Sequence, residues 1–390
     1  MLNLSHLRRH AAEVPPELEG VVDRQTLERS ARYTVERTRL GLLSSLLSAL
    51  VVLAFLFGGG LAAYDRLVSS TTSSFVGQGV IFFVGLGFLS GLVELPLSAY
   101  SSFVIEARYG FNRMTPRLFV SDWLKGALIG AVITALLSAG ALWLVNAAPD
   151  WYWFWAWLFF SAFSIFLIFV SPYLIEPLFF QMKPLAAADL VEEVRALARR
   201  VDVELERVLE VDASRRSSHS NAYFTGLGRV KRVVLFDTLL ERMSRSELLA
   251  VLAHELGHWK LRHITSRLIA TELFALVAIY LGSLAVGWSG LPALVGLGEA
   301  SFAARALIVA FVAAIPGFFL TPLSAGWSRA HERQADDFAR RLTGTPLELA
   351  NALVKLSRDN LANLHPHPLY AAFYYSHPPV IERVRRLRAV

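Results

Sequence analysis

His254 and His258 stand four residues apart with Glu255 between them, in the run Ala253-His254-Glu255-Leu256-Gly257-His258-Trp259. On a helix this spacing places both imidazoles on one face, where two neutral nitrogens can hold a zinc ion. The intervening carboxylate is then placed to take a proton from a water that the ion activates. That chemistry is peptide hydrolysis. The chain has no cysteine, which removes disulfides, thiol catalysis and thiolate ligands together, so any metal site must be built from His, Asp or Glu.

The elements that carry this motif lie in a membrane protein. Hydrophobic residues make up 54% of the 390, charged residues 18%, and the mean hydropathy is +0.45. Six apolar runs are long enough to cross a hydrocarbon core, which takes about 20 helical residues. They fall near 41–64, 75–103, 126–148, 153–177, 265–288 and 303–326. The first 40 residues do not read as a cleavable signal peptide, because Arg8, Arg9, Glu13, Glu17, Glu19 and Asp23 interrupt any apolar core.

Lys and Arg set the expected orientation. Residues 1–40, 104–125, 178–264 and the tail after 327 are basic, whereas 65–74 holds only Arg66 and the segments 149–152 and 289–302 hold none. Six spans with both termini cytoplasmic satisfy every connection and put the histidine motif on the cytoplasmic side. These flanks explain the pI of about 9.6, so an anionic leaflet is the expected partner and nucleic acid is not. Only five of the 38 basic residues are lysines, a bias toward arginine that fits a GC-rich bacterial genome. The expected location is a bacterial inner membrane, or the endoplasmic reticulum membrane if the source is eukaryotic.

The expected division is a cytoplasmic segment 1–40, transmembrane helices 1–4 over 41–177, a cytoplasmic peptidase part 178–264, helices 5–6 over 265–326, and a cytoplasmic part 327–390. Within 178–264, Ala188 to Arg200 has helical periodicity, and Val208 to Asp212 reads as a strand. Asn221 to Phe224 and Val230 to Phe236 read as a hairpin across Thr225-Gly226-Leu227-Gly228. The fold class is therefore mainly α, an integral membrane protein with a small cytoplasmic β-sheet.

A third ligand is expected from a second helix facing the first. Glu332 is the candidate, in Ser328 to Asp336 just past the sixth span, with His331 as the rival donor, turned about 100° away on the helix. Asp336, one turn on from Glu332, shares its face and can orient a ligand histidine.

These residues belong to a wider pattern. The chain resembles the type I CAAX prenyl endopeptidases, integral-membrane zinc peptidases of the gluzincin class. The resemblance rests on Val14-Pro15-Pro16-Glu17-Leu18, Phe103-Val104-Ile105-Glu106 with Gly110-Phe111-Asn112, and Ser217 to Phe224. It continues through Val233 to Leu240, His254 to Lys260, Glu332 to Asp336, and Tyr375-Ser376-His377-Pro378-Pro379. The resemblance implies His254, His258 and Glu332 as ligands of one Zn2+, Glu255 as general base, and Asp336 as partner of a ligand histidine. It implies that Asn221, Ala222 and Tyr223 bind extended substrate as an added strand, and that His377 and Arg383 face the zinc and stabilise the oxyanion. It also implies a chamber enclosed by the membrane helices. The chain departs from the family in having six spans where eukaryotic members have seven, and in placing His331 and Arg333 where the family has aromatics.

Polar residues inside the spans fit such a chamber: Glu94, Glu176, Arg267 and Glu272. If the motif helix runs unbroken into the fifth span, Glu272 lies on the face of His254, about 27 Å deeper. The expected function is membrane-embedded zinc endopeptidase activity on peptide or protein substrates, lipidated or not, by a monomer, in CAAX-type processing or membrane-protein quality control. The alternative is a polytopic transport or receptor-like protein with a structural zinc site.

Overall fold

In the computed structural model, which describes residues 2–10, 13–225 and 230–389, the hydropathy pattern resolves into long helices with a small sheet at one end. The chain starts with α1 (Leu2–His10) and enters α2 (Arg24–Phe57), whose first turn is capped by Asp23 accepting from the Thr26 amide at 2.6 Å. The first apolar run does not continue to residue 64 as one helix. Gly59 takes φ +84°, a conformation that disfavours side-chain-bearing residues, and the chain restarts as α3 (Gly60–Ser69).

Next come α4 (Phe75–Tyr100), α5 (Pro116–Ala147) and α6 (Tyr152–Val170). Both α4 and α6 run on into a π-helical turn, at Ser101–Glu106 and Ser171–Ile175. Proline, at 96 and at 172, sits at or before each turn, where its missing N–H breaks the regular ladder. After α7 (Glu176–Phe179), the sheet domain alternates β1 (Met182–Pro184), α8 (Ala188–Arg199), β2 (Glu204–Val211), β3 (Ala222–Thr225) and β4 (Val230–Phe236). The sheet order is β1-β2-β4-β3, with β2 and β4 parallel and both outer pairs antiparallel. The expected hairpin is present as the β3/β4 pair; its connection, 226–229, lies outside the described residues.

Then α9 (Asp237–Arg242) leads to α10 (Arg245–Lys260), the motif helix, and α11 (His263–Gly287) follows. The long α12 (Phe302–Thr343) precedes α13 (Pro346–Asp359), α14 (Pro368–Tyr374) and α15 (Val380–Arg388). Among the described residues six helices are long and apolar enough to cross a membrane: α2, α4, α5, α6, α11 and α12. Their apolar stretches are only 6–11% buried, far less than helices sharing one packed core.

Two expectations about α11 are corrected. The motif helix does not run unbroken into it: α10 stops at Lys260, and Arg262 takes a left-handed backbone (φ +58°) that redirects the chain. Glu272 therefore does not continue the face of His254. Its carboxylate accepts from Ser161 Oγ at 2.5 Å and Ser164 Oγ at 2.9 Å on α6, while Trp157 Nε1 donates to its carbonyl. The charge at membrane depth is satisfied by a neighbouring helix, as buried polar groups require.

Candidate active site

Four features fix the motif helix. Ser244 and Glu247 form a reciprocal capping box at the start of α10, and Lys355 on α13 holds the Glu247 carboxylate at 2.7 Å. Trp259, on the same helix, stacks under the buried Lys231 ammonium of β4 at 3.3 Å from the ring centroid. The fourth feature is Gly257. A Cβ there would lie 3.1 Å from Ala335 Cα and 3.2 Å from Phe338 Cβ, so α10 and α12 meet almost backbone to backbone. This crossing brings Glu332 to the histidines.

Gly257→Val should force the two helices apart. We expect destabilisation by about 1–3 kcal/mol together with weaker metal retention, measured by thermal unfolding and metal content; unchanged values for both would show that the close crossing is dispensable.

α12 is 42 residues long, about 63 Å at 1.5 Å per residue, so it outruns the hydrocarbon core and carries Glu332 and Asp336 to the motif. Ligand atoms of His254, His258 and Glu332 all lie within 4.8 Å of one another. His254 Nε2 is 3.2 Å from His258 Nε2 and 3.5 Å from Glu332 Oε2, and His258 Nε2 is 3.2 Å from Glu332 Oε1.

The partners of the other ring nitrogens decide which tautomers face inward. His254 Nδ1 is 2.9 Å from Asp336 Oδ1 and so carries the proton, leaving Nε2 with its lone pair. His263 Nε2 donates to Gln334 Oε1 at 2.9 Å, so its Nδ1 accepts from His258 Nδ1 at 3.1 Å. His258 Nε2 is then also a bare acceptor. Two lone pairs and a carboxylate converge with no proton between them, which a cation resolves.

Charge agrees with geometry. Burial opposes an imidazolium at His254, yet the Asp336 and Glu332 carboxylates outweigh it and raise its pKa to about 9. Glu332 Oε2 is buried and, although His377 Nδ1 stands 2.7 Å away, receives no well-directed hydrogen bond. The donor set, two imidazoles and one carboxylate, fits a divalent metal of the zinc type with a position left open for substrate.

Glu255 engages no hydrogen bond or ion pair among the described residues. Burial raises its pKa above the ordinary carboxylate value, only partly opposed by the neighbouring imidazoles. His377 is 63% exposed at its side chain and sets Nδ1 2.7 Å from Glu332 Oε2. Arg383 is buried and mostly committed: its Nε and Nη2 bind Asp336 at 2.9 and 2.6 Å, and Nη1 reaches toward Glu332 at 3.6 Å. Asp336 thus holds both His254 and Arg383.

β3 forms the outer edge of the sheet and lies against α10. Asn221 precedes it, exposed, its Oδ1 accepting from the Ala222 amide. Ala222 is buried, and Tyr223 OH donates to Glu176 Oε2 at 3.1 Å, pinning the strand to the end of the α6 span. His331, the rival ligand, does not join the group. It stacks on His263, centroids 4.0 Å apart and planes 6° from parallel.

His263 and Gln334 are functional candidates that the sequence reading missed. A helix continued through residue 263 puts that imidazole on the wrong face; only the turn at Arg262 returns it to His258. His263→Ala should weaken metal binding about 10- to 100-fold while the fold persists, read by competition with a chromophoric chelator. Unchanged affinity would remove the relay.

Six helices of membrane length together with this His/His/Glu group define an integral-membrane metallopeptidase, and comparison with known proteins agrees. Residues 3–181 match the family model described as CAAX prenyl protease N-terminal, five membrane helices, and residues 184–390 match peptidase family M48. The chain belongs to that peptidase family. It is 34% identical to the CAAX prenyl protease 1 homolog of Arabidopsis thaliana (96% of this chain, 90% of the relative) and 32% identical to the human homolog (97% and 89%). The crystal structure of S. mikatae Ste24p superposes with a TM-score of 0.92 at 29% identity, covering 99% of this chain and 95% of the other. Family membership sets aside the transporter or receptor alternative.

Proposed function

We propose that the chain is a zinc endopeptidase whose catalytic group faces the cytoplasm and whose substrates are extended peptides. The observation that carries this reading is the convergence of His254 Nε2, His258 Nε2 and Glu332, with both tautomers set from outside, next to a Glu255 that makes no hydrogen bond or ion pair among the described residues. His254, His258 and Glu332 would hold one zinc ion. When bound, it supplies Lewis-acid polarisation of a scissile carbonyl and of the attacking water.

Glu255 takes the proton of that water and passes it to the leaving amine. Asp336 keeps His254 in the tautomer that binds. His377 donates to the oxyanion. Arg383, clamped by Asp336, contributes mainly positive potential, with Nη1 its remaining donor. The free edge of β3 accepts substrate as an added strand beside Asn221, Ala222 and Tyr223, which fixes register through the main chain and leaves side-chain preference loose.

Relatives carry the name CAAX prenyl protease, and carboxyl-terminal processing of lipidated peptides is one role we infer; membrane-protein quality control is the other. Either is compatible with a monomer, and with a division into spans 41–177 and 265–326 and cytoplasmic parts at 1–40, 178–264 and 327–390. Full-length protein in nanodiscs should hydrolyse a quenched peptide, lose activity to a chelator, and regain it with one equivalent of Zn2+. Hydrolysis that survives complete metal removal would overturn the proposal.

A further inference from the structure

Four of the ten histidines gather at a second place, more than a hundred residues from the catalytic pair in sequence at either end. His6 and His10 lie one turn apart on α1, the spacing of His254 and His258. His365 and His367 flank Pro366 in the segment before α14. The rings form a chain: His367 to His6 at 5.3 Å, His6 to His10 at 4.3 Å, and His10 to His365 at 6.0 Å between centroids. Two imidazoles on one tetrahedral ion have centroids about 5 Å apart, and the catalytic pair stands at 4.9 Å.

Hydrogen bonds again select tautomers. His10 Nδ1 donates to the His6 carbonyl at 2.9 Å, which leaves Nε2 bare. His365 Nε2 donates to the Glu13 carbonyl at 2.6 Å, which leaves Nδ1 bare. The His6 imidazole makes no hydrogen bond among the described residues, so either nitrogen is available. His367 differs: its Nδ1 accepts from the Leu369 amide at 3.2 Å, so its Nε2 carries a proton.

From these observations we propose that His6, His10 and His365 form a second metal site for a late first-row divalent cation, with His367 donating to a water or anion in the remaining position. Three imidazole donors suit Zn2+, Co2+, Ni2+ or Cu2+ and not a hard cation. The ring nitrogens do not converge as those of the catalytic trio do; all four side chains are only part-buried, and coordination requires the rings to turn about χ1 and χ2, His10 and His365 exchanging their bonds to the His6 and Glu13 carbonyls for the ion. Occupancy joins the two ends of the chain. It fixes the segment that enters α14, whose Ala371 and Tyr375 carbonyls are both held by Arg329 on α12 and which leads directly to His377.

The test uses tag-free, full-length protein and Co2+ as the probe. Wild type should bind two equivalents, seen as two steps in visible absorption and in metal content. His6→Ala/His10→Ala should bind one and still hydrolyse peptide, which shows that it is folded. His254→Ala/His258→Ala should retain one equivalent, with the absorption of an imidazole-rich tetrahedral site, and lose it when the His6 and His10 changes are added. A single equivalent in wild type, or two equivalents undiminished in His6→Ala/His10→Ala, would overturn the site.

Discussion

Replacing Glu255 with Gln is expected to lower kcat/KM for a quenched peptide by about 10²- to 10⁴-fold, the contribution of a positioned general base, while leaving metal content and unfolding temperature near wild type. The reasons lie in its surroundings. Glu255 shares α10 with the two ligand histidines but carries no hydrogen bond or ion pair among the described residues, so its amide isostere breaks no structural contact. Burial holds its pKa above the usual carboxylate value, as a group that must accept and return a proton requires. Steady-state kinetics with metal analysis on the same sample checks this. Substantial residual turnover with metal in place would remove Glu255 from its assigned role.

Glu332→Ala should be as damaging by a different route, with metal affinity falling about 100-fold or more. A residue that only orients a ligand already costs 10- to 100-fold, and Glu332 itself supplies an oxygen. The carboxylate is 5% exposed and has His254, His258, His377 and Arg383 within 2.7 to 3.6 Å. Removing it leaves two imidazoles without the third donor and Arg383 without one of its two carboxylates, so activity should be lost even at saturating zinc. Arg383 keeps both bonds to Asp336, so the helices should remain docked. Metal titration with circular dichroism separates the effects: near-native affinity would mean that another residue, with His331 the first to check, completes the site.

Much of this was legible in the sequence because the signals are local. Apolar runs of membrane length need no partner to be recognised, and a His-x-x-x-His spacing puts two ligands on one helical face whatever the helix packs against. Glu332 and Asp336 could be paired for the same reason. What was hidden depended on single backbone conformations or on contacts across long separations. Arg262 adopts a left-handed backbone without the glycine that would announce it, and this one residue turns His263 back to His258 and takes Glu272 off the face of His254. Gln334 meets His263 across 71 residues, and Arg383 meets Asp336 across 47, with no spacing rule to link them. β1, three residues long, is strand only because β2 offers it an edge.

His377 and Arg383, both near the group, differ in how they are held. His377 is 63% exposed at its side chain, with Nδ1 2.7 Å from Glu332; Arg383 is buried in a bidentate clamp on Asp336, the carboxylate that also holds His254. A double-mutant cycle between Asp336 and Arg383 would express that clamp as coupling.

The proposed catalysis depends on one zinc ion held between His254, His258 and Glu332. A zinc-edge anomalous difference map from crystals of Glu255→Gln with a bound peptide tests it directly. The expected map has a peak bonded to His254 Nε2, His258 Nε2 and a Glu332 carboxylate oxygen, with the peptide lying along β3. An active preparation whose zinc peak lies elsewhere, with these three side chains unliganded, would contradict it.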